Sequence, residues 1–245
     1  LTSGNRHASG INFALEVGGS FSGTVYENDG VTPINNAQIC VQDYTYGDGF
    51  GCVYTNASGQ YVFAGLPTST YRIEAYAPGR VRELFQETPY YDLATPVSVT
   101  APHNTSGIDF RLDPSGSISG RVLRSDDATP IFTASVCIND YYTNYHIRCR
   151  SDVMRPDGTF TFPGLPTGSF RVWVTASGYI SEYYQERLYF DQADPVMVTA
   201  PQDTPNIIFT LDVGGSISGT VYENDGVTPI SNAQVCVQQH PWGQG

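Results

Sequence analysis

Five cysteines and four histidines are the residues of this chain best equipped for chemistry, and their spacing separates staple from metal site from nucleophile. Cys40 and Cys52 stand 12 residues apart, as do Cys137 and Cys149, and Cys236 falls in the same surroundings as Cys40 and Cys137. No CxxC and no clustered histidine accompanies them, so a zinc site lacks its ligand spacing. His7, His103, His146 and His240 occupy unrelated positions, whereas a triad or metal centre needs convergent partners. The expectation is no catalytic residue, no metal ligand and no cofactor, with disulfides Cys40–Cys52 and Cys137–Cys149. Repeated cysteine pairs point to an oxidising compartment, extracellular or at the cell surface. The partner of Cys236 is expected near position 248, which leaves that cysteine unpaired by truncation. Closing a loop of 11 residues stabilises by roughly 3 kcal/mol in the chain-entropy model.

Three further sets of side chains could bind something. The acidic turns Glu27-Asn28-Asp29, Asp126-Asp127 and Glu223-Asn224-Asp225 offer oxygen ligands to Ca²⁺, and ordinary turn chemistry accounts for them as well. Asn56-Ala57-Ser58 and Asn104-Thr105-Ser106 are glycosylation sequons on predicted loops. Aromatic residues crowd the loop closed by each cysteine pair: Tyr44, Tyr46 and Phe50, then Tyr141, Tyr142 and Tyr145, with Trp242 in the third copy. Trp173 falls on the outward side of its strand. Exposed rings of this kind stack on sugars or anchor a protein contact. Packing against the next unit or a neighbouring chain of the same protein is the favoured reading, with glycans as the alternative partner.

Composition narrows the partners. Twelve basic residues against 24 acidic ones give a net charge of −12, which argues against a nucleic-acid backbone. Every basic residue is arginine, so lysine Schiff-base chemistry and a P-loop lysine are absent. No apolar run approaches the ~18 residues of a membrane-spanning helix.

These residues sit in a repeat. Gly23–Gln42 returns at Gly219–Gln238 with 18 of 20 positions identical, and a diverged copy starts at Gly120. The steps of 97 and 99 residues suit a small β-sandwich. Apolar residues alternate with polar ones in Phe21-Val25, Ala37-Ile39-Val41 and Tyr71-Ile73-Ala75, where Arg72 and Glu74 point outward. The second unit repeats this in Ala134-Val136-Ile138 and Phe170-Val172-Val174. No 3.6-residue period is sustained. The expected fold is all-β, a tandem array of antiparallel sandwiches of about seven strands. Residues 1–17, with Ile11, Phe13 and Leu15, are expected to be the last strand of a preceding repeat. Repeat 1 is expected at 18–114, repeat 2 at 115–213, and the first strands of repeat 3 at 214–245. Units 1 and 3 agree better with each other than with unit 2, which suggests a two-domain building block. The short connectors 113–116 and 212–215 should limit swivelling.

The ordered set Gly23-Thr-Val, Asn36-Ala-Gln-Ile-Cys-Val, Thr55-Asn-Ala-Ser-Gly-Gln-Tyr-Val-Phe, Gly65-Leu-Pro, Tyr71-Arg-Ile-Glu-Ala and Gly107-Ile-Asp-Phe-Arg-Leu resembles the carboxypeptidase regulatory-like domain, a transthyretin-like sandwich. Unit 2 supplies Asp157-Gly-Thr-Phe, Gly164-Leu-Pro-Thr-Gly-Ser-Phe-Arg-Val, Gly178-Tyr and Tyr183-Tyr. The resemblance implies a non-catalytic sandwich, found in tandem in secreted or surface proteins of bacteria and archaea and sometimes beside peptidase domains. No catalytic residues belong to that pattern, and the paired cysteines are this sequence's own. The reading is a structural segment of an extracellular fibre or surface stalk. The alternatives are an adhesin or carbohydrate-binding array using the aromatic loops, or an accessory region of a secreted peptidase or glycosidase.

Overall fold

The structure is a computed structural model that describes residues 10, 12–86 and 91–236. Two β-sandwiches follow one another, each with its own core. In the first, β1 (Gly19–Glu27) pairs antiparallel with β4 (Gln60–Leu66) on one side. On its other side β1 pairs parallel with β8 (Asn104–Ser106) and β9 (Phe110–Leu112). The facing sheet runs β3 (Gly49–Tyr54), β2 (Gln38–Asp43), β5 (Ser69–Tyr76), with β6 (Glu83–Leu84) and β7 (Val97–Val99) on the far edge of β5. The second sandwich repeats the plan. One sheet holds β13 (Thr159–Leu165), β10 (Gly116–Arg124) and β17 (Asp203–Leu211). The other holds β12 (His146–Arg150), β11 (Ser135–Asp140), β14 (Gly168–Thr175), β15 (Glu182–Tyr183) and β16 (Val196–Val198).

The alternation in the sequence is what makes the cores. Phe21, Val25, Ile39, Val41, Tyr71 and Ile73 are buried between the first pair of sheets, as are Ile118, Val122, Val136, Ile138, Phe170 and Val172 between the second. Each side chain so buried stabilises by about 1.5–3 kcal/mol relative to exposure. The two clusters share no residue.

Two features refine the expected sandwich. Strand segments number nine and eight, because two-residue edges and a broken last strand add to the long ones. The last strand also runs parallel to the first, with Val25 opposite Phe110 and Val122 opposite Phe209. Parallel neighbours need a long crossover, and here the whole unit is the crossover. The pair is bulged where Gly107 (φ 80°) or Asn206 (φ 64°) turns left-handed, which drives the next carbonyl into the first strand. Gly23 and Gly120 leave room for it: a Cβ there would lie 1.9 Å from the Ile108 oxygen or 1.7 Å from that of Ile207. Tyr61, itself buried, donates its hydroxyl to the Ile108 oxygen at 2.6 Å.

The flanking segments behave differently from an expected strand. Residues 12–18 form no strand, and Phe13 and Leu15 are exposed. A last strand in this fold is held by a parallel first strand, and none pairs with this segment. Residues 216–236 form only a bridge between Tyr222 and Pro229, with Ile217 and Val235 exposed. Their turn nevertheless keeps its geometry. Glu223 N donates to Thr228 O at 2.8 Å, as Glu27 N does to Thr32 O.

Candidate functional site

The features available for contact cluster on the two stapled hairpins and on the joints after each unit. Cys40 stands directly opposite Cys52 on β2–β3, and Cys137 opposite Cys149 on β11–β12, and both pairs are disulfide-bonded. Cα separations of 4.1 and 4.0 Å are the close spacing of facing antiparallel residues. Both staples lie on the outer faces of their sheets. Cys137 is nonetheless fully buried, with Trp173 beside it on β14 and Tyr183 next in the row, the two rings 6.0 Å apart. Unit 1 puts Glu74 in the place of Trp173 and pairs it with Arg82 at 3.0 Å. Cys236 is free and exposed.

Each staple holds a hairpin whose tip is fixed by an aspartate. Asp43 Oδ1 accepts from the backbone N–H of Thr45 (2.8 Å) and Tyr46 (2.9 Å), and these bonds hold its carboxyl below the usual range. Asp140 Oδ1 accepts likewise from Tyr142 (3.0 Å) and Thr143 (2.7 Å).

The next residue in each tip is the first aromatic of the loop, and it does not face solvent as a free platform. Arg72 on β5 lies between two rings, its guanidinium carbon 4.6 Å from the Tyr44 centroid and 3.7 Å from that of Tyr91. Arg171 on β14 lies 4.2 Å from both Tyr141 and Phe190. Arg171 also donates Nη1 to the Tyr141 carbonyl at 2.6 Å. Arg72 leaves the core face as its place in the alternation requires, and on the outer side the two rings cover it to 8% exposure. Each ring–cation contact is worth about 0.5–2 kcal/mol. Tyr91 and Phe190 belong to matching 3₁₀ turns, Tyr91–Leu93 and Phe190–Gln192, so each sandwich of rings ties hairpin, sheet and turn together.

Other aromatics divide by environment. Phe50 packs edge-on to Tyr71 at 5.4 Å. Tyr145 reaches out of unit 2: its hydroxyl accepts from the Tyr91 backbone N–H of unit 1 at 2.9 Å. Tyr91 in turn donates its own hydroxyl to Gln42 at 2.9 Å. Tyr46 and Tyr142 stand out in water at 82% and 81% exposure, with Tyr142 touching only the edge of Tyr141 among described rings. Trp242, His7, Ile11 and His240 lie outside the described residues.

The joints are built alike. After unit 1, Val81 N donates to Asp113 O (2.8 Å) and Ser115 N to Gly79 O (3.0 Å), flanking an Arg80–Pro114 bridge. After unit 2, Ile180 N donates to Asp212 O and Gly214 N to Gly178 O, both at 2.9 Å, flanking a Tyr179–Val213 bridge. Arg80 is further clamped by both carboxylate oxygens of Glu27, at 2.5 and 2.6 Å, which hold its guanidinium charged.

The acidic turns spend their oxygens internally. Asp29 accepts from Val31 N, Thr32 N and the Thr32 hydroxyl, and Asp225 makes the same set with Val227 and Thr228. Among the described residues no group of three His, Cys, Asp or Glu side chains could hold a metal ion, and no helix is long and apolar enough to cross a membrane. The two sequons differ. Asn56 lies in an exposed turn, with Oδ1 accepting from Ser58 and Gln60. Asn104 is not in a loop: it is in β8, with its amide bonded to Ser20 and Ser22 on β1.

Residues 20–113 match the carboxypeptidase regulatory-like domain family. No curated protein matches the chain. Among solved structures, it is similar to the Bacillus anthracis TIE protein, at 15% identity over 80% of this chain and 34% of that one, TM-score 0.33. It is similar also to a streptococcal ancillary pilin (12% identity, 82% and 63% covered, TM-score 0.33). A third is the shaft pilin SpaA of Lactobacillus rhamnosus GG (12% identity, 82% and 100% covered, TM-score 0.30). The chain thus spans about a third of the first and under two thirds of the second. At such scores these likenesses carry no functional argument.

Proposed function

We propose that this chain, whose residues 20–113 are a carboxypeptidase regulatory-like domain, is a non-catalytic spacer segment of an extracellular stalk or fibre. One observation carries the reading: first and last strands of each unit are parallel neighbours. Antiparallel neighbours would bring the chain in and out at the same end. Parallel ones bring it in at one end and out at the other, about 30 Å away for a nine-residue strand at ~3.3 Å per residue. Successive units then extend along an axis. The bridged joints and the Tyr91–Tyr145 contact support a fixed angle between units. The stapled hairpins suit a compartment where disulfides persist.

Small-angle scattering of the whole chain tests this, compared with a variant carrying four glycines after Asp113. An extended particle whose distance distribution broadens in the variant is expected. Identical, broadly averaged profiles for the two would sink the stalk reading.

A second reading rests on Tyr46 and Tyr142, whose exposure is that of a sugar-stacking platform. It requires polysaccharide affinity that falls when both are changed to alanine.

A further inference from the structure

A cleft of about 220 Å³ opens between the two sandwiches. Val81 and Arg82 line it from unit 1, and Tyr145, Ile147, Arg148 and Phe170 from unit 2. Two cations, Arg82 and Arg148, and one carboxylate, Asp140, line it. The Oδ1 of Asp140 accepts from the Tyr142 and Thr143 N–H groups and the Thr143 hydroxyl. Arg82 is paired with Glu74 at 3.0 Å, and the nearby Arg150 with Asp152 at 2.6 Å. Arg148 has no ion pair among the described residues, and its buried Nε has no hydrogen-bond partner. Its guanidinium is held in place, 5.6 Å over the Phe162 ring and with Nη2 against the bare backbone of Gly164. Burial, then the charges of Arg82 and Arg150, push its pKa down. A partly desolvated cation beside another cation costs free energy unless an anion joins them.

The repeat adds a second, independent point. Arg148, before Cys149, corresponds to Gly51, before Cys52, and Arg82, before Glu83, corresponds to Ser181, before Glu182. Neither cation belongs to the shared sandwich. One comes from each unit, and they meet only at this joint, so the fold itself does not call for them.

We infer that this cleft binds a small carboxylate, with Arg148 pairing to the carboxyl group and Arg82 supporting it from the other unit. Ile147 and Phe170 offer an apolar wall to a molecule the size of one sugar ring. The cleft is smaller than the ~300 Å³ at which pockets for drug-sized ligands begin. The carboxylate could come from a hexuronate of a polysaccharide or from a free carboxylic acid. The inference is independent of the stalk reading, since binding is measurable whatever the chain's role.

The test is an NMR titration of the full chain with galacturonate, galactose and acetate at low salt, with thermal melts of every variant. Galacturonate is expected to bind with Kd near ~1 mM, and galactose not to bind. Arg148→Gln should weaken galacturonate roughly tenfold or more, and Arg82→Gln should weaken it less. If Arg148→Gln melts early, Arg82→Gln carries the comparison alone. Displacement of galacturonate by acetate supports a free-acid source, and failure of acetate to compete supports the sugar acid. Equal binding of galactose, affinity unchanged in every folded variant, or no binding up to ~50 mM overturns the inference.

Discussion

Alanine at Gly120 puts a Cβ 1.7 Å from the carbonyl oxygen of Ile207 and 2.6 Å from its carbon, where real Cβ contacts stay beyond 3.0 Å. The opposing atoms are backbone of β17, so no side-chain rotation relieves the overlap. The strands must part by more than an ångström across a ladder whose neighbours lie about 4.8 Å apart. Local adjustment costs about 1–3 kcal/mol, as overpacking does. Detachment of β17 would instead expose Ile207, Phe209 and Leu211, all buried to 3% or less, at about 1.5–3 kcal/mol each. The gain from a stiffer unfolded chain, about 0.4–1 kcal/mol, is too small to offset either. Net of that gain we expect roughly 1–2 kcal/mol of destabilisation if the strands adjust locally and ~3 kcal/mol or more if β17 detaches, a fall of roughly 4 °C or more in the melting of a 100-residue unit.

The sequence supplies its own control. Gly219 occupies the same place in a copy of the Gly23 stretch, yet nothing lies within 4 Å of a Cβ built there. Gly23→Ala, at 1.9 Å from the Ile108 oxygen, should therefore behave like Gly120→Ala, while Gly219→Ala stays within about 0.5 kcal/mol of the parent. Differential scanning calorimetry of the three variants separates them. Equal melting of Gly120→Ala and Gly219→Ala would refute the steric account of the parallel closure.

Three further outcomes are expected. Arg171→Met keeps the stem but removes the cation between Tyr141 and Phe190, and should cost about 1–2 kcal/mol in chemical denaturation; no change would mean the ring contacts contribute nothing. Cys137→Ser with Cys149→Ser should cost roughly 3 kcal/mol and no more than 5, read from the same curves, with dithiothreitol changing the parent and not the variant. Glu182 is buried near Asp212 and Glu186, and burial first, then those two charges, raise its pKa from 4.5 to about 7. The folded state then holds more protons than the unfolded one between these values. Its stability should fall as pH rises from 4.5 to 7, by about 1–3 kcal/mol after solvent screening, and Glu182→Gln should flatten that slope.

What the sequence made legible was whatever a strand's two-residue period records. The core faces through Ile39, Val41, Ile73, Val136 and Val172 follow from alternation alone, and they are buried. The cysteine spacing is legible because a hairpin brings residues 12 apart face to face. Direction of pairing leaves no such mark, so the parallel closure was not visible. Its one signal was indirect, a glycine at the same place in all three copies of the repeated stretch. The burial of Arg72 was not visible, because alternation says which face a residue takes and not what covers that face. The cover comes from Tyr91, far along the chain in a short 3₁₀ turn. Recurrence could have flagged it, since Tyr44, Arg72 and Tyr91 return as Tyr141, Arg171 and Phe190. The Arg82–Arg148 cleft had no signal of either kind, being made only where two units meet.

The close approach at Gly23 and Gly120 and the axial extension of the chain are one requirement seen at two scales. A last strand that returned antiparallel would need no such glycine, but it would end where the unit began and fold an array back on itself. The parallel return sends the chain out at the far end, and its bulge drives a carbonyl into the first strand, so that strand must carry no side chain at that point. Once out, the chain meets the Gly79 or Gly178 turn and is bridged to it before the next unit starts. Weakening the closure should therefore loosen the joint as well, because Asp113 and Asp212, the residues bonded at the two joints, directly follow Leu112 and Leu211. Amide hydrogen exchange can read this in Gly120→Ala: Ile180 and Gly214 should lose protection together with β17, while Val81 and Ser115 at the first joint keep theirs. Retention of protection at Ile180 when β17 is lost would separate closure from joint, and with it the link between this glycine and an extended chain.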